Sequence, residues 1–208
     1  GGPAGSAEPA GPPTILYPAV THSHKNHLML VEAFTRLADG HPAAHLVLTG
    51  GPGDVESDVA DAIDASRHGD RILRTGRIPS DDLAYRLAAA TVVAFPSTYE
   101  GFGIPVLEAM AAGVPVLVAD GTPAADLVSD GGVDRDAVLA PNDPQAWADR
   151  LGRILDDRAQ RTDLALRGLT VAADHTWEAS AEALEQAWRK LLAGQGDGPG
   201  TRPTGQAG

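Results

Sequence analysis

Short apolar runs alternate along this chain with segments whose apolar residues recur at helical spacing. Leu30, Phe34 and Leu37 show this spacing after the first run, because positions three and four apart share one face of a helix. Such alternation predicts βαβ units, which build a parallel sheet with helices on both faces. We therefore predict an α/β fold with a doubly wound, Rossmann-like sheet, whose ligands bind beyond the carboxyl ends of the strands. The predicted strands are residues 14–17, 45–49, 71–75, 91–95, 114–119 and 137–139.

Capping residues indicate where several helices begin. A side-chain oxygen placed just before a helix can accept from the free amides of its first turn. Thr176 is expected to cap a helix that runs from Trp177 to Leu191. The predicted N-caps are Ser80, Asp143 and Thr176.

The two ends of the chain differ in composition from its middle. Residues 1–13 are Gly, Pro, Ala and Ser with one charge, too few apolar side chains to order a segment. We predict a disordered linker or cloning remnant there, and a disordered tail over residues 193–208. Residues 14–192 remain as one domain, since a chain of 208 residues supplies one sizeable core.

Composition excludes several classes of function. The formal net charge of −12 repels phosphodiester backbones, so we expect no nucleic-acid partner. No apolar run reaches the roughly 18 to 20 residues that span a bilayer, and no cationic start precedes an apolar segment, so we expect a soluble domain without a secretory signal. The absence of cysteine excludes disulfides and thiolate sites. We expect a cytoplasmic protein, with a peripheral position at the inner face of the membrane left open.

The stretch from the predicted strand at 91–95 to Gly113 carries the strongest functional signal. Pro105 fits only the first turn of a helix, and Gly113 ends that helix, which places Glu108 near its start. The loop from Glu100 to Gly103 has two glycines and amides at the positive end of the helix dipole, which favour an anion. The carboxylates add acceptors for hydroxyl groups. A ligand with phosphates and a polyol, such as a nucleotide-sugar, fits this pattern.

This stretch resembles a known family. Glu100 and Glu108, with seven residues between them that include Gly101, Phe102, Gly103, Ile104 and Pro105, are similar to the paired-glutamate motif of retaining glycosyltransferases with the GT-B fold. The alternative interpretation is two solvated glutamates, one in a surface loop and one on a polar helix face. The resemblance implies the donor-binding, C-terminal domain of a family 4 type enzyme (glycosyl transferases group 1), which is one half of a GT-B architecture. It also implies a separate N-terminal domain for the acceptor.

Lys25 is the strongest candidate outside that motif. It is one of two lysines in an acidic chain and precedes the first predicted helix, where a cation and free amides can share a diphosphate. The segments Tyr17-Pro18-Ala19 and His24-Lys25-Asn26-His27 resemble a stretch of some family members in which the lysine meets the donor phosphates. A solvated lysine at a helix end is the alternative.

Two glycine-containing loops complete the predicted site. Residues 50–53 are glycine-rich but lack the Gly-Lys-Ser/Thr ending of a P-loop, which weakens an ATPase interpretation. The resemblance implies that Gly50 and Gly51 border the nucleotide, and that the backbone of Gly76, Arg77 and Ile78 meets the base. Arg77 could supply a further positive charge.

The resemblance also implies a role for each motif residue. Glu100 would meet the hydroxyls of the donor sugar near the reacting carbon, and Lys25 would offset the charge of the leaving diphosphate. Glu108 would accept from ribose hydroxyls. The amides of residues 101–103 would hold the sugar and phosphates. The predicted activity is retaining transfer of a hexose, with mannose as one candidate, from a nucleotide-sugar to a glycan or lipid-linked acceptor.

Alternatives to this function remain at the level of sequence. The chain could be a non-catalytic nucleotide-sugar-binding module that needs a partner acceptor domain, or a sugar-nucleotide epimerase. His22, His24 and His27 could share a metal ion, but no carboxylate or thiolate is near them in sequence, and we expect capping or phosphate contacts instead. Residues 134–136 match a short Asp-x-Asp pattern, which we expect to be a solvated loop. We predict no metal and no cofactor, the nucleotide-sugar being the substrate.

Overall fold

The computed structural model describes residues 11–176, 181–182 and 184–189. Most of the predicted linker, the tail over residues 193–208, and both ends of the helix predicted from Trp177 to Leu191 lie outside the described residues. The chain divides into two compact units, Gly1–Ala173 and Asp174–Gly208. In the second unit, residues 181–182 and 184–189 are helical and exposed. The sheet and the predicted site belong to the first unit.

Six parallel strands form one sheet in the order β3-β2-β1-β4-β5-β6. The order runs outward in both directions from the central pair β1 and β4, which is a doubly wound arrangement. The predicted fold class is therefore confirmed. The strands are β1 (Thr14–Pro18), β2 (His45–Thr49), β3 (Ile72–Gly76), β4 (Val92–Phe95), β5 (Val116–Ala119) and β6 (Val138–Leu139).

Helices cover the sheet. All four residues of β4 and of β5 are buried, as expected for strands covered on both faces. Leu30, Phe34 and Leu37 are buried along α1, which confirms the helical stripe seen in the sequence. The helices are α1 (His27–Leu37), α2 (Glu56–Ala65), α3 (Ser80–Ala89), α4 (Ile104–Ala111), α5 (Pro123–Ser129), α6 (Pro144–Asp156) and α7 (Arg158–Asp174). Among the described residues, no helix is long and apolar enough to cross a membrane.

The predicted helix caps have different outcomes. Asp143 caps α6, where its Oδ1 accepts from the amides of Gln145 at 3.1 Å and Ala146 at 3.0 Å. Ser80 was wrongly predicted as a cap: it is the first helical residue of α3, and Pro79 is the N-cap. The helix begins earlier because the carbonyl of Pro79 already accepts from the Leu83 amide at 3.0 Å.

The Asp-x-Asp segment is exposed at Arg135 and Asp136, as predicted, but Asp134 is partly buried and bound within the domain, which corrects the prediction at that residue. Asp134 caps a 3-10 turn by accepting from the Asp136 amide at 2.9 Å, and its other oxygen binds Arg150 Nη2 at 2.6 Å. The Arg150 side chain is only 2% exposed and also donates to the Asp136 carbonyl and to Gln160. A buried guanidinium needs such partners, because an unpaired charge in the interior is strongly destabilising. Asp134 therefore has a structural role.

Candidate functional site

Lys25 and Glu100 are in direct contact. Lys25 Nζ donates to Glu100 Oε1 at 2.7 Å, and the two side chains are 20% and 16% exposed. Lys25 ends a 3-10 turn (Ser23–Lys25) after β1, and Glu100 lies in the loop after β4. Because β1 and β4 are neighbours at the point where the strand order reverses, their following loops meet at the crevice where doubly wound sheets bind ligands. The structure thus brings together the two residues predicted to be catalytic.

The Tyr17 side chain holds the backbone of Lys25 in place. Its hydroxyl donates to the Lys25 carbonyl at 2.7 Å and lies 2.8 Å from Ser97 Oγ, which joins the two loops. Burial raises the pKa of Tyr17 far above its ordinary value, although the Ser97 hydrogen bond opposes this and the Glu100 carboxylate adds to it. The hydroxyl therefore remains protonated and acts as a donor.

Two further residues join the loops after β1 and β4. The Thr98 amide donates to the His24 carbonyl at 2.8 Å. Asn26 has left-handed backbone geometry with φ of 57°, and its Nδ2 donates to the carbonyls of Pro96 at 3.2 Å and Pro141 at 2.6 Å. These contacts hold the loop of Lys25 against the loop of Glu100, which pre-organises the pair.

The glycine loop before α4 has the geometry of an anion site. Gly103 is the N-cap of α4 with φ of 92°, and a Cβ there would lie 3.1 Å from the Ala124 Cβ. Among the described residues, no acceptor binds the amides of Gly101, Phe102 or Gly103. Free amides at a helix N-terminus are donors available to a ligand. Phe102 and Ile104 are 52% and 47% exposed beside them.

Glu108 forms no hydrogen bond or ion pair with Lys25 or Glu100. It is the fifth residue of the eight in α4, on the second turn rather than at the helix start, and it is exposed. Its carboxylate makes no hydrogen bond or ion pair to a described residue. The carboxylate is therefore accessible, but no contact within this chain places it.

The loops after β2 and β3 join the same edge of the sheet. The Gly50 amide donates to the Gly76 carbonyl at 2.9 Å, and the Thr21 amide donates to the Gly51 carbonyl at 3.3 Å. Gly50 has φ of 136°, and a Cβ there would lie 2.1 Å from the Ala19 carbonyl oxygen, so only glycine fits. Arg77 is exposed and Ile78 is partly buried, and neither side chain binds a described residue.

Arg74, Glu56 and Thr21 form a hydrogen-bonded network next to these loops that the sequence did not predict. Arg74, on β3, donates through Nη1 to the Gly50 carbonyl at 2.9 Å and through Nη2 to Glu56 Oε2 at 2.6 Å. Glu56 also accepts from the Thr21 hydroxyl, whose oxygen accepts from the Gly53 amide at 2.7 Å. Burial raises the pKa of Glu56, but the hydrogen bonds from Arg74 and Thr21 outweigh it and leave the pKa below its ordinary value. The carboxylate is thus ionised at neutral pH.

The three neighbouring histidines have separate environments. His22 Nδ1 lies 3.0 Å from Asp54 Oδ1, and this hydrogen bond lowers the pKa of Asp54. The His24 ring stacks on His22 at 5.6 Å and meets the Tyr99 ring edge-on at 6.1 Å. His27 is buried against Tyr17, with ring centroids 4.7 Å apart. Within the described part of the chain, no three His, Cys, Asp or Glu residues form a group that could hold a metal ion.

The protein also has a groove away from these loops. A groove of about 510 Å³ lies between α6 and the C-terminal end of α1, the end opposite Lys25. Arg36, His41 and Asp156 are among the residues that line it. None of the residues predicted for the site lines this groove. The contact of Lys25 with Glu100 makes the loops after β1 and β4 the candidate site.

Comparison with known proteins agrees with this geometry. The family model for glycosyl transferases group 1 matches residues 3–171. The chain belongs to this family. The predicted family is thereby confirmed, and the six-stranded sheet is a GT-B glycosyltransferase domain.

Individual relatives of this group 1 glycosyltransferase domain carry different names. It is 35% identical to the D-inositol 3-phosphate glycosyltransferase of Corynebacterium urealyticum over 62% of this chain and 30% of that protein. It is 32% identical to the O-antigen chain mannosyltransferase B of Escherichia coli over 78% of this chain and 42% of that protein. The chain therefore spans less than half of the length of either curated relative.

Solved structures show the same fold. The crystal structure of Anabaena HepE in complex with UDP and glucose superposes with a TM-score of 0.75, at 22% identity over 88% of this chain and 49% of that chain. At this level of identity the similarity shows the fold alone. The group 1 domain corresponds to about half of that chain as well.

Several residues that organise the site carry a signal that sequence reasoning did not use. Tyr17 and Asn26 lie inside the segments that resemble the family, but neither was assigned a role. Apart from glycine, Asn is among the residues that most readily adopt left-handed backbone geometry. This preference could have indicated the role of Asn26. Nothing in the sequence around Arg74 marks it, because its partners come from the loop after β2 and from α2.

Proposed function

We propose that this chain is the donor-binding half of a retaining glycosyltransferase, which transfers a hexose from a nucleotide-sugar to a glycan or a lipid-linked acceptor. The observation that carries the proposal is the contact of Lys25 with Glu100 at the centre of the sheet. A cation and a carboxylate side by side suit a ligand that joins a pyrophosphate to a polyol. The free amides of residues 101–103 lie in the same loop as Glu100.

The proposed mechanism uses positioning and electrostatics. Glu100 Oε1 holds Lys25, while its Oε2 binds no described residue and can accept from a sugar hydroxyl near the reacting carbon. Lys25 offsets the charge that develops on the leaving diphosphate, with the amides of residues 101–103 as further donors. Glu108 accepts from ribose hydroxyls.

In this proposal the acceptor attacks from the side of the leaving group, so no protein nucleophile is required. The proposed reaction uses no metal and no cofactor. A further domain binds the acceptor across a cleft, and the absence of cysteine supports a cytoplasmic location.

The comparisons suggest which donors to test first. HepE is described in complex with UDP and glucose, which supports uridine as the base. The name of the E. coli relative supports mannose as the sugar, and the name of the Corynebacterium relative supports a phosphorylated polyol as an acceptor. UDP-glucose and GDP-mannose are therefore the first donors in a panel that also holds ADP-sugars.

Calorimetry on the full chain tests this proposal. We expect one nucleotide-sugar of the panel to bind, and Glu100→Gln to weaken that binding relative to binding of the bare nucleotide. Glu32→Gln is the matched control, since Glu32 is an exposed glutamate of α1 that pairs with Arg36. Failure of every UDP-, GDP- and ADP-sugar to bind would contradict the proposal.

Product analysis separates the proposal from its alternatives. Hydrolysis or transfer by the chain supports a glycosyltransferase, whereas binding without turnover supports a binding module that needs a partner domain. An altered sugar formed without any acceptor would indicate an epimerase.

A further inference from the structure

Arg74 binds two consecutive backbone carbonyls of the glycine loop after β2. Its Nη1 lies 2.9 Å from the Gly50 oxygen and its Nη2 lies 3.4 Å from the Gly51 oxygen. We propose that Arg74 is a positioning residue for the donor diphosphate: it fixes the Gly50–Gly51 peptide so that the Gly51 N–H is presented to a phosphate. This inference rests on the proposed function and adds a residue to it.

The orientation of the Gly51 amide follows from the planarity of the peptide. The peptide between Gly50 and Gly51 is trans, so its N–H points away from its carbonyl. Since the Gly50 carbonyl points at Arg74, the Gly51 N–H points away from the guanidinium. No described residue accepts from this amide, and Gly51 is only partly buried. The amides of Gly50 and Gly53 are already bound, and Pro52 has no N–H. Among residues 50–53, Gly51 therefore has the amide that no described residue binds.

Glu56 holds the guanidinium in place. Its Oε2 accepts from Arg74 Nη2 at 2.6 Å, and the Arg74 side chain is 17% exposed. Only Nε of this guanidinium is buried without a hydrogen bond among the described residues. Nη1 binds the Gly50 carbonyl, and Nη2 binds the Gly51 carbonyl and Glu56. Because both terminal nitrogens are occupied, we infer that Arg74 orients the loop and does not bind a phosphate directly.

The same glutamate also fixes the far end of the loop. Glu56 accepts from the Thr21 hydroxyl, and Thr21 Oγ1 accepts from the Gly53 amide at 2.7 Å. At Gly53 an added Cβ would lie 2.5 Å from the Thr21 carbonyl, so the loop packs directly against the segment after β1. One ion pair therefore holds both ends of residues 50–53 and ties them to the segment that carries Lys25.

Arg71, the residue just before β3, offers a matched control. It precedes β3 at the opposite end of the sheet, and it too donates to two carbonyls, those of His41 at 2.9 Å and Ala38 at 3.0 Å. Arg71→Met removes the same charge and the same kind of contact, but far from the loop of Gly51. Any general effect of losing a carbonyl-binding arginine appears in both variants.

The experiment measures UDP affinity of the full chain by calorimetry at constant ionic strength, with GDP and ADP as further probes. We expect Arg74→Met to raise the Kd by roughly tenfold, as for the loss of one hydrogen bond to a charged group, and Arg71→Met to change it by less than about twofold. Arg74→Lys should resemble Arg74→Met, because an ammonium cannot bind two carbonyls in a fork. Wild-type affinity in Arg74→Met or in Arg74→Lys overturns the positioning role.

A measurement on the unaltered chain covers the case in which Arg74→Met fails to fold. The amide signal of Gly51 is followed by 15N NMR during titration with UDP, with the exposed turn residue Gly132 as reference. A large shift of Gly51 with Gly132 unchanged supports the inference, and an unshifted Gly51 at saturation overturns it. If the wild-type chain binds none of the three nucleotides, the proposed function is contradicted. If the wild-type chain binds a nucleotide and the Arg74 variants bind it with the same Kd, only this inference is contradicted.

Discussion

Lys25 Nζ and Glu100 Oε1 are 2.7 Å apart although 75 positions separate the two residues in the chain. The contact joins the loop after β1 to the loop after β4, and the hydrogen bonds of Tyr17, Thr98 and Asn26 surround it. A charged pair in this setting is held in one geometry before a ligand arrives, which is the condition for effective electrostatic stabilisation.

Lys25→Ala should weaken binding of a nucleoside diphosphate. The expected loss is about 1.5–3 kcal/mol, or roughly tenfold to a hundredfold in Kd, because a charge-assisted hydrogen bond to phosphate is removed. Arg36→Ala is the control, since it removes a positive charge that pairs with Glu32 on the exposed face of α1. Calorimetry at matched ionic strength measures both, and an unchanged Kd in Lys25→Ala would exclude this lysine from the site.

Lys25 and Glu100 should also be coupled in stability. In a double-mutant cycle with Lys25→Met and Glu100→Gln, we expect a coupling energy of about 0.5–3 kcal/mol from urea denaturation, because the two side chains are in contact and mostly buried. The exposed pair of Arg36 and Glu32 provides the comparison and should give about 0.2–0.5 kcal/mol. Additive effects of the Lys25 and Glu100 variants would show that the contact contributes nothing to the fold.

Glu108→Ala should affect ribonucleotides selectively. If this exposed carboxylate accepts from ribose hydroxyls, its loss should weaken binding of a ribonucleoside diphosphate more than binding of the 2′,3′-dideoxy analogue, which lacks those hydroxyls. Calorimetry with the two ligands measures the difference. Equal losses for both ligands would contradict the ribose role.

Asn26 should be necessary for the alignment of the two loops. Asn26→Gly keeps the left-handed backbone but removes the hydrogen bonds to the carbonyls of Pro96 and Pro141, and we expect a loss of roughly 1–3 kcal/mol of stability. Asn26→Ala removes the same bonds and adds the steric cost of φ of 57° for alanine, so it should be less stable than Asn26→Gly. Equal stability of the two variants in thermal unfolding would show that the backbone geometry is not retained.

His27 should make the protein sensitive to acid. Burial lowers the pKa of His27 from its ordinary value of 6.5 to about 4, with the nearby charge of Arg74 as the second cause. Lys25 acts in the same direction, whereas the Ala19 backbone and Glu56 act against it. The unfolded chain then binds a proton at this site between pH 6.5 and 4 while the folded chain does not.

The free energy of unfolding should therefore fall as the pH decreases through this window. The contribution of His27 is complete above pH 6.5 and amounts to roughly 3 kcal/mol, since each pKa unit corresponds to about 1.4 kcal/mol. Urea denaturation at several pH values measures the slope for the wild type and for His27→Leu. The variant should lose less stability between pH 6.5 and 4 than the wild type, and identical slopes would contradict the shifted pKa.

The sequence by itself determined the architecture and the position of the glutamate loop. Alternating apolar runs and helical stripes depend on local spacing, so Leu30, Phe34 and Leu37 could be assigned to a buried face from their order alone. The strand, the glycine loop and the start of α4 near Pro105 are likewise set by neighbours in the chain. The local pattern misplaced the start of α3 at Ser80, because the Pro79 carbonyl already accepts the first helical hydrogen bond. It also missed the role of Asp134, because its partner Arg150 lies on α6.

Only the tertiary structure decided which residues meet. β1 and β4 are adjacent because the sheet winds outward in both directions from them, and this order is the reason that Lys25 reaches Glu100. The arrangement of Arg74 with Glu56 and the carbonyl of Gly50 depends on how β3 packs beside β2 and on the placement of α2. Contacts between distant segments arise from packing a common core, and no local pattern in the chain encodes which charged side chains that packing brings within a hydrogen bond of each other.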